Sequence, residues 1–156
     1  MAVGLIPNFW LADASETQAH KYIVKAGAAA TIKAGDLVLQ NTAGDVEYVK
    51  AVGTATADTD DIVIGIAATT STDTAAADGT VMVYDDLDAT IVGLADTKGN
   101  LTDANLLTAV PIDSSAAGVQ RLNENDVTKG ICFIKKYSAS TGEIEFTIKR
   151  SAILGA

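Results

Sequence analysis

Short runs of β-forming residues dominate the chain from Tyr22 onward, and in two of them, Val46–Lys50 and Glu143–Arg150, apolar and polar residues alternate as in half-buried β-strands. The segment Glu143–Arg150 shows it best, with its isoleucines and phenylalanine on one face and its second glutamate, threonine and lysine on the other. The segment Gly130–Tyr137 precedes it, and Ser138–Gly142 supplies turn residues between the two. We therefore predict an antiparallel hairpin at the end of the domain.

Further strands are predicted where β-branched and aromatic residues cluster between turn residues. These segments are Tyr22–Lys25, Leu37–Gln40, Val46–Lys50, Ile62–Ala67, Thr80–Tyr84 and Ala89–Leu94. The segment Ile62–Ala67 is apolar on both faces, which predicts a strand that is buried on both sides. Gly65 within it predicts a bulge or a close backbone approach. Helix is expected only at Leu101–Leu107, as a turn or two that begins after Thr102 or Asp103.

The first twenty residues differ from the rest, so we divide the chain into an arm, residues 1–20, and a β domain, residues 21–156. The arm gathers large apolar side chains around Pro7 and contains the single tryptophan. Two interpretations stay open, since the arm could fold back onto its own domain or reach a neighbouring subunit. The expected contact residues are Leu5, Ile6, Phe9, Trp10 and Leu11.

Composition and charge narrow the function classes. The chain has 156 residues and a net charge of −9, from 20 acidic and 11 basic residues. Binding to nucleic acid or to an acidic membrane requires clustered lysine and arginine, and no basic run is longer than Lys135–Lys136. We therefore expect neither nucleic acid nor membrane as a partner.

Candidate chemistry is sparse, and no enzyme is predicted. His20 is the single histidine, which excludes a metal site of several histidines and leaves little for general base catalysis. Cys132 lies in an apolar run and is interpreted as a small core residue. Acidic clusters occur at Asp58–Asp61 and Asp85–Asp88, where aspartate is either a turn former or a ligand of a weak cation site. No cofactor is predicted.

One succession of segments resembles a known family. Ala26–Val38, which reads AGAAATIKAGDLV, is followed by the apolar strand Ile62–Ala67 around Gly65 and then by Asp78–Val83, DGTVMV. This order is similar to that of the capsid decoration, or cement, proteins of tailed bacteriophages, in which such strands form a small β-barrel. The resemblance covers about Ala26–Leu94.

The resemblance implies a structural virion protein that decorates the outer surface of a phage capsid. It would be made in the host cytoplasm and would stabilise the shell by bridging neighbouring capsomers, with the major capsid protein as its partner. It also implies a homo-oligomer, with a trimer favoured. Together with the strand pattern, it predicts an all-β fold: a small antiparallel β-barrel or sandwich, β-tulip-like, with an extended N-terminal arm and little helix.

Two alternatives stay open from the sequence. The first is a phage tail-tube or fibre subunit, which this chain length allows. The second is a small carbohydrate- or cation-binding β-module, which would use the acidic turns.

Overall fold

The computed structural model describes residues 7–13, 18–27, 31–43, 46–52, 62–86, 88–113, 118–127 and 130–148. Within them the chain is all-β, as predicted, with two five-stranded antiparallel sheets and almost no helix. The strands are β1 Phe9–Leu11, β2 Ala19–Val24, β3 Leu37–Ala43, β4 Val46–Ala51, β5 Ile62–Ala67, β6 Gly79–Tyr84, β7 Ile91–Leu94, β8 Ala109–Val110, β9 Ile112–Asp113, β10 Arg121–Leu122, β11 Cys132–Tyr137 and β12 Glu143–Ile148.

The first sheet has the strand order β1-β7-β12-β11-β8, and we call it the terminal sheet because it contains the first and the last described strands. The second has the order β2-β6-β5-β3-β4 and is called the central sheet. Strands β9 and β10 form a small separate pair. The two large sheets pack face to face in a sandwich, and neither closes into a barrel within the described residues.

The main core lies between the two sheets. The terminal sheet contributes Ile91, Ile134, Ile144 and Phe146, and the central sheet contributes aliphatic side chains from β3 and β5. Burying one such side chain stabilises the fold by about 1.5–3 kcal/mol. The alternation in β12 directs its isoleucines and phenylalanine into this core, while Glu145 and Thr147 stay partly exposed, as predicted.

A second core lies on the other face of the central sheet. It contains Val24, Ile32, Val38, Val49, Ile64, Ala67, Val81 and Val83. The sheet curls around this core so far that its two edge strands, β2 and β4, contact each other. The ammonium of Lys25 lies 5.7 Å from the centre of the Tyr48 ring across that gap.

Strand β5 is buried on both faces, as predicted, because Val63 and Ile66 enter the main core and Ile64 and Ala67 enter the second. The predicted irregularity at Gly65 is confirmed. In the ladder with β3, Val38 pairs with Gly65 and the next residue pairs with Val63, so Ile64 is the extra residue of a bulge. Gly65 has a φ of +152°, and a Cβ there would lie 1.8 Å from the carbonyl oxygen of Tyr84.

The final hairpin is confirmed as β11 and β12, with the turn at Ser138–Gly142. The helix expected at Leu101–Leu107 is only a 3-10 turn over Asp103–Asn105, preceded by Thr102. A second such turn, Lys98–Asn100, and the short strands β8 to β10 were not predicted. Strand β2 begins at Ala19, inside the segment assigned to the arm.

Candidate interaction surface

A shallow cleft of about 310 Å³ lies on the outer face of the terminal sheet, and we call it the Trp10 cleft. Its lining comes from β1, β7, β11, β12 and the residues that follow β1 and β11. The lining side chains are Trp10, Ala12, Val92, Lys136, Tyr137, Ser138, Glu143 and Glu145.

Strand register explains how distant residues meet there. Trp10 pairs with Val92, Val92 pairs with Glu145, and Glu145 pairs with Lys136. Residues directly opposite each other on antiparallel strands project to the same face of a sheet. The four side chains therefore form one row across β1, β7, β12 and β11.

The cleft combines apolar and charged groups. Trp10 is half-buried and Val92 is 7% exposed, so together they form an apolar wall. The carboxylates of Glu143 and Glu145 outnumber the single ammonium of Lys136 in the cleft. An aromatic wall beside carboxylates suits a protein segment that presents an apolar and a cationic side chain.

Tyr137 stands at one end of the cleft, where its hydroxyl donates to Asp103 Oδ1 at 2.9 Å. This hydrogen bond, with smaller effects of burial and of the Asp103 charge, raises the pKa of Tyr137 above its ordinary value. The hydroxyl thus stays protonated over a wider pH range and links the cleft to the turn that contains Asp103.

The five contact residues predicted in the arm have different surroundings. Phe9 is 1% exposed within the main core, and Leu11 packs against that core from its edge. Trp10 is the one that lines the cleft, as strand alternation requires for a residue between two that face the core. Leu5 and Ile6 lie outside the described residues. The assignment of these five residues to a subunit or capsid contact stays a prediction.

Polar contacts tie the described start of the arm to its own domain. The side-chain amide of Asn8 donates to Asp36 Oδ1 at 2.8 Å and to the carbonyl of Gly118 at 3.1 Å, and Arg121 donates to Asn8 Oδ1 at 3.3 Å. The backbone amide of Phe9 donates to the carbonyl of Gly35 at 2.9 Å. The segment from Pro7 to Leu11 therefore folds back onto its own chain, which is the first of the two interpretations of the arm.

The acidic turn after β6 uses its carboxylates locally. Asp85 accepts a hydrogen bond from the Tyr22 hydroxyl at 2.6 Å, and its other oxygen lies 2.7 Å from His20 Nδ1. Asp86 Oδ1 accepts from the backbone amide of Asp88 at 3.0 Å, which is the predicted turn chemistry. The other acidic cluster, Asp58–Asp61, lies outside the described residues.

The remaining candidates are structural. Cys132 is fully buried, and burial raises the pKa of its thiol, so the thiolate needed for nucleophilic attack is disfavoured. This confirms its interpretation as a core residue. In the described part of the chain, no three His, Cys, Asp or Glu side chains are grouped as a metal site requires. Nor does any described helix have the length and hydropathy needed to cross a bilayer.

Comparison with known proteins gives little. The chain matches no family model and no curated protein. Among solved structures, it is similar to the N base of the head fiber gp8.5 of bacteriophage phi29. The TM-score is 0.49 and the sequence identity 13%, over 85% of this chain and 95% of that one. Because both values are this low, we base no functional inference on the likeness.

Proposed function

We propose that this chain is a structural virion protein that decorates the outer surface of a tailed-phage capsid and stabilises it by bridging neighbouring capsomers. The observation that carries the proposal is the position of the three segments that resemble decoration proteins. The first leads into β3, the second is β5 and the third forms most of β6, and these three strands are direct neighbours in the central sheet.

The curling of this sheet supports the same proposal. The edge strands β2 and β4 contact each other around the second core, so β2 and the resembling strands β3 to β6 together enclose a core of their own. The terminal sheet is formed by β1, β7, β8, β11 and β12. In this proposal the central sheet is the decoration module, and the terminal sheet is an added layer that carries the Trp10 cleft.

The surface chemistry fits a protein that acts by contact. Net charge of −9 disfavours binding to the packaged genome, and the cleft offers an aromatic anchor beside carboxylates. When several linked copies each make a modest contact with the shell, the assembly binds more tightly than one copy does, without more contact area per subunit. We propose the major capsid protein as the partner, a homotrimer as the working unit, and no enzymatic activity.

Binding to shells tests the proposal directly. The purified chain is mixed with expanded, DNA-free shells made from the capsid protein encoded alongside it, and the shells are sedimented and imaged by cryo-EM. We expect co-sedimentation and added density on the outer surface. Trp10→Ala should weaken binding about 30-fold, as for a hot-spot residue, whereas Val127→Ala, at an exposed apolar residue outside both large sheets, should bind like the wild type.

Two results would overturn this function. Shells without added density would exclude decoration, and rods or rings of the pure chain in negative stain would favour a tube or fibre subunit. Calorimetric titration with Ca²⁺ and with a glycan panel tests the alternative of a carbohydrate- or cation-binding module. A saturable binding heat that disappears in Asp85→Ala would support that alternative.

A further inference from the structure

Leu107 has an unusual conformation for its residue type. Its φ is +60°, and it is the one non-glycine residue of the described chain with a positive φ. Its side chain is 72% exposed, more than any other large apolar side chain that the structure describes. A left-handed backbone at a branched residue costs about 1–3 kcal/mol, and asparagine or glycine would adopt it more easily. Leucine at this position therefore does not stabilise the fold of the single chain relative to asparagine or glycine.

The surrounding turn holds Leu107 rigidly. Its backbone amide donates to the carbonyl of Ile134 at 2.9 Å, and the hydroxyl of Thr108 donates to the carbonyl of Asn105 at 2.7 Å. Asn105 is buried and donates from its side chain to the carbonyl of Glu124 at 2.8 Å. An exposed apolar side chain on an ordered turn is preorganised for binding, because little entropy remains to be lost.

The same chain carries a recess of suitable chemistry. The Trp10 cleft has an apolar wall of Trp10 and Val92 and a volume of about 310 Å³, enough to admit a branched aliphatic side chain. It lies on the outer face of the terminal sheet, whose edge strand β8 begins two residues after Leu107. Every copy of the chain therefore carries both the projecting Leu107 side chain, which we call the projection, and the Trp10 cleft.

The charges around the two features are complementary. Lys135 is exposed and directly follows Ile134, whose carbonyl accepts from the Leu107 amide, so the backbone that carries this lysine adjoins the turn that carries Leu107. The cleft carries Glu143 and Glu145 against the single Lys136. A copy that presents Leu107 together with Lys135 would bring a cation to the two carboxylates.

We propose that Leu107 of one copy inserts into the Trp10 cleft of a second copy, so that the chain assembles through this contact. The contact joins two different surfaces, so its repetition around a three-fold axis closes a ring, the homotrimer proposed above. The inference holds whether or not the chain binds a shell, because it concerns assembly of the pure protein in solution. If both proposals hold, the cleft joins copies to each other on the shell, and Trp10→Ala weakens shell binding through the loss of avidity.

Complementation between two variants tests it. Leu107→Asn removes the projection and suits the left-handed backbone, so the fold is retained. Ala12→Phe fills the cleft from an exposed position on its border. In sedimentation velocity over a concentration series, we expect the wild type to assemble and each variant to associate at least 30-fold more weakly. An equimolar mixture should restore a two-chain species, because one partner keeps its projection and the other its cleft.

Val127→Asn is the matched control, since Val127 is 46% exposed and lies outside both features. It should assemble like the wild type. All variants should keep the wild-type circular dichroism spectrum and should unfold no more easily than the wild type.

Three results would overturn the proposal. The first is a wild type that stays monomeric at about 100 µM, a concentration about 100 times the Kd of a micromolar contact. The second is normal assembly of Leu107→Asn, which would show that the contact lies elsewhere. The third is a mixture of the two folded variants that forms no two-chain species. Loss of shell binding with intact assembly would overturn the proposed function and leave this contact standing.

Discussion

The ring of Phe9 meets the ring of Phe146 edge to face, with centroids 5.6 Å apart and planes at 76°. Phe9 opens β1 and Phe146 lies in β12, so the contact joins the first described strand to the last. Gly93 lies between them in the sheet, and a Cβ there would approach the Phe9 ring to 2.5 Å. The first and the last described strands therefore share one part of the main core.

Phe9→Ala should lower the free energy of unfolding by about 3–5 kcal/mol, the usual cost of truncating a buried phenylalanine. Urea denaturation measures it, and Trp10→Ala, at a half-buried neighbour, should cost clearly less. A double-mutant cycle with Phe146→Ala should give a coupling of about 0.5–1.5 kcal/mol for the edge-to-face pair. Deletion of residues 1–11 should destabilise at least as much as Phe9→Ala, and an unchanged midpoint would show that the arm is dispensable for folding.

Gly65→Ala should destabilise the protein severely. A methyl group there would lie 1.8 Å from the carbonyl oxygen of Tyr84, and the backbone conformation itself disfavours any side chain. Backbone atoms cannot move aside without breaking the contact between β5 and β6, so we expect a loss of more than about 3 kcal/mol or no folded protein. Gly99→Ala is the control, because no atom lies within 4 Å of its added Cβ. A small effect at both sites would refute the bulge geometry.

Sequence pattern was sufficient for strands that carry their own signal. Ile62–Ala67 is apolar on both faces because both faces of β5 are buried, and the alternation in β12 reports a sheet with one face in the core. Gly65 marked the bulge because its lack of a side chain is what the geometry requires. Each of these features is recorded in the residues of the strand itself, although the contacts behind it come from other strands.

The rest depends on contacts that no local pattern records. Strands β8 to β10 have two residues each, which is too short for alternation to be visible. The Trp10 cleft follows from register between strands that are more than eighty residues apart in the chain, as in the pairing of Trp10 with Val92. Leu107 looked like one more apolar residue of a helical turn, and its left-handed conformation is set by the Asn105 network. Cys132 was the exception, because its apolar neighbours already indicated burial.

The Gln120 side chain makes hydrogen bonds to the backbone at the beginning of β3, as a neighbouring strand would. Its side-chain oxygen accepts from the Leu37 amide at 2.7 Å, and its nitrogen donates to the carbonyls of Leu37 at 3.2 Å and Val52 at 2.8 Å. Gln120→Met keeps the length of the side chain but leaves the Leu37 amide and the Val52 carbonyl without these partners, at about 1–3 kcal/mol for each unsatisfied group, while the Leu37 carbonyl keeps its hydrogen bond from the Val52 amide. Chemical denaturation should therefore show a loss of at least about 2 kcal/mol. The same substitution at the exposed Gln18 should be nearly neutral, and equal effects at both sites would contradict this role.

Asp36 should make stability depend on pH in the direction opposite to that of a salt-bridged carboxylate. It is 6% exposed, and burial raises its pKa above 3.8, although hydrogen bonds from the Lys33 amide and from Asn8 and the charge of Lys33 act the other way. The folded state therefore holds this proton more tightly than the unfolded chain does. Its contribution to stability is fully present below the unfolded pKa and is lost as pH rises through the higher folded pKa.

The measurement is the difference in free energy of unfolding between the wild type and Asp36→Asn, taken from about pH 3 to pH 7. Asparagine does not titrate, and both proteins share all the other carboxylates, so the effects of those carboxylates cancel in the difference. The wild type should therefore lose stability relative to the variant as pH rises across this range. A carbon-13 NMR titration of the Asp36 carboxyl should place its midpoint above 3.8 in the folded protein. A midpoint below that value, with a relative gain in stability as pH rises, would mean that the hydrogen bonds from Asn8 and Lys33 outweigh the cost of burial.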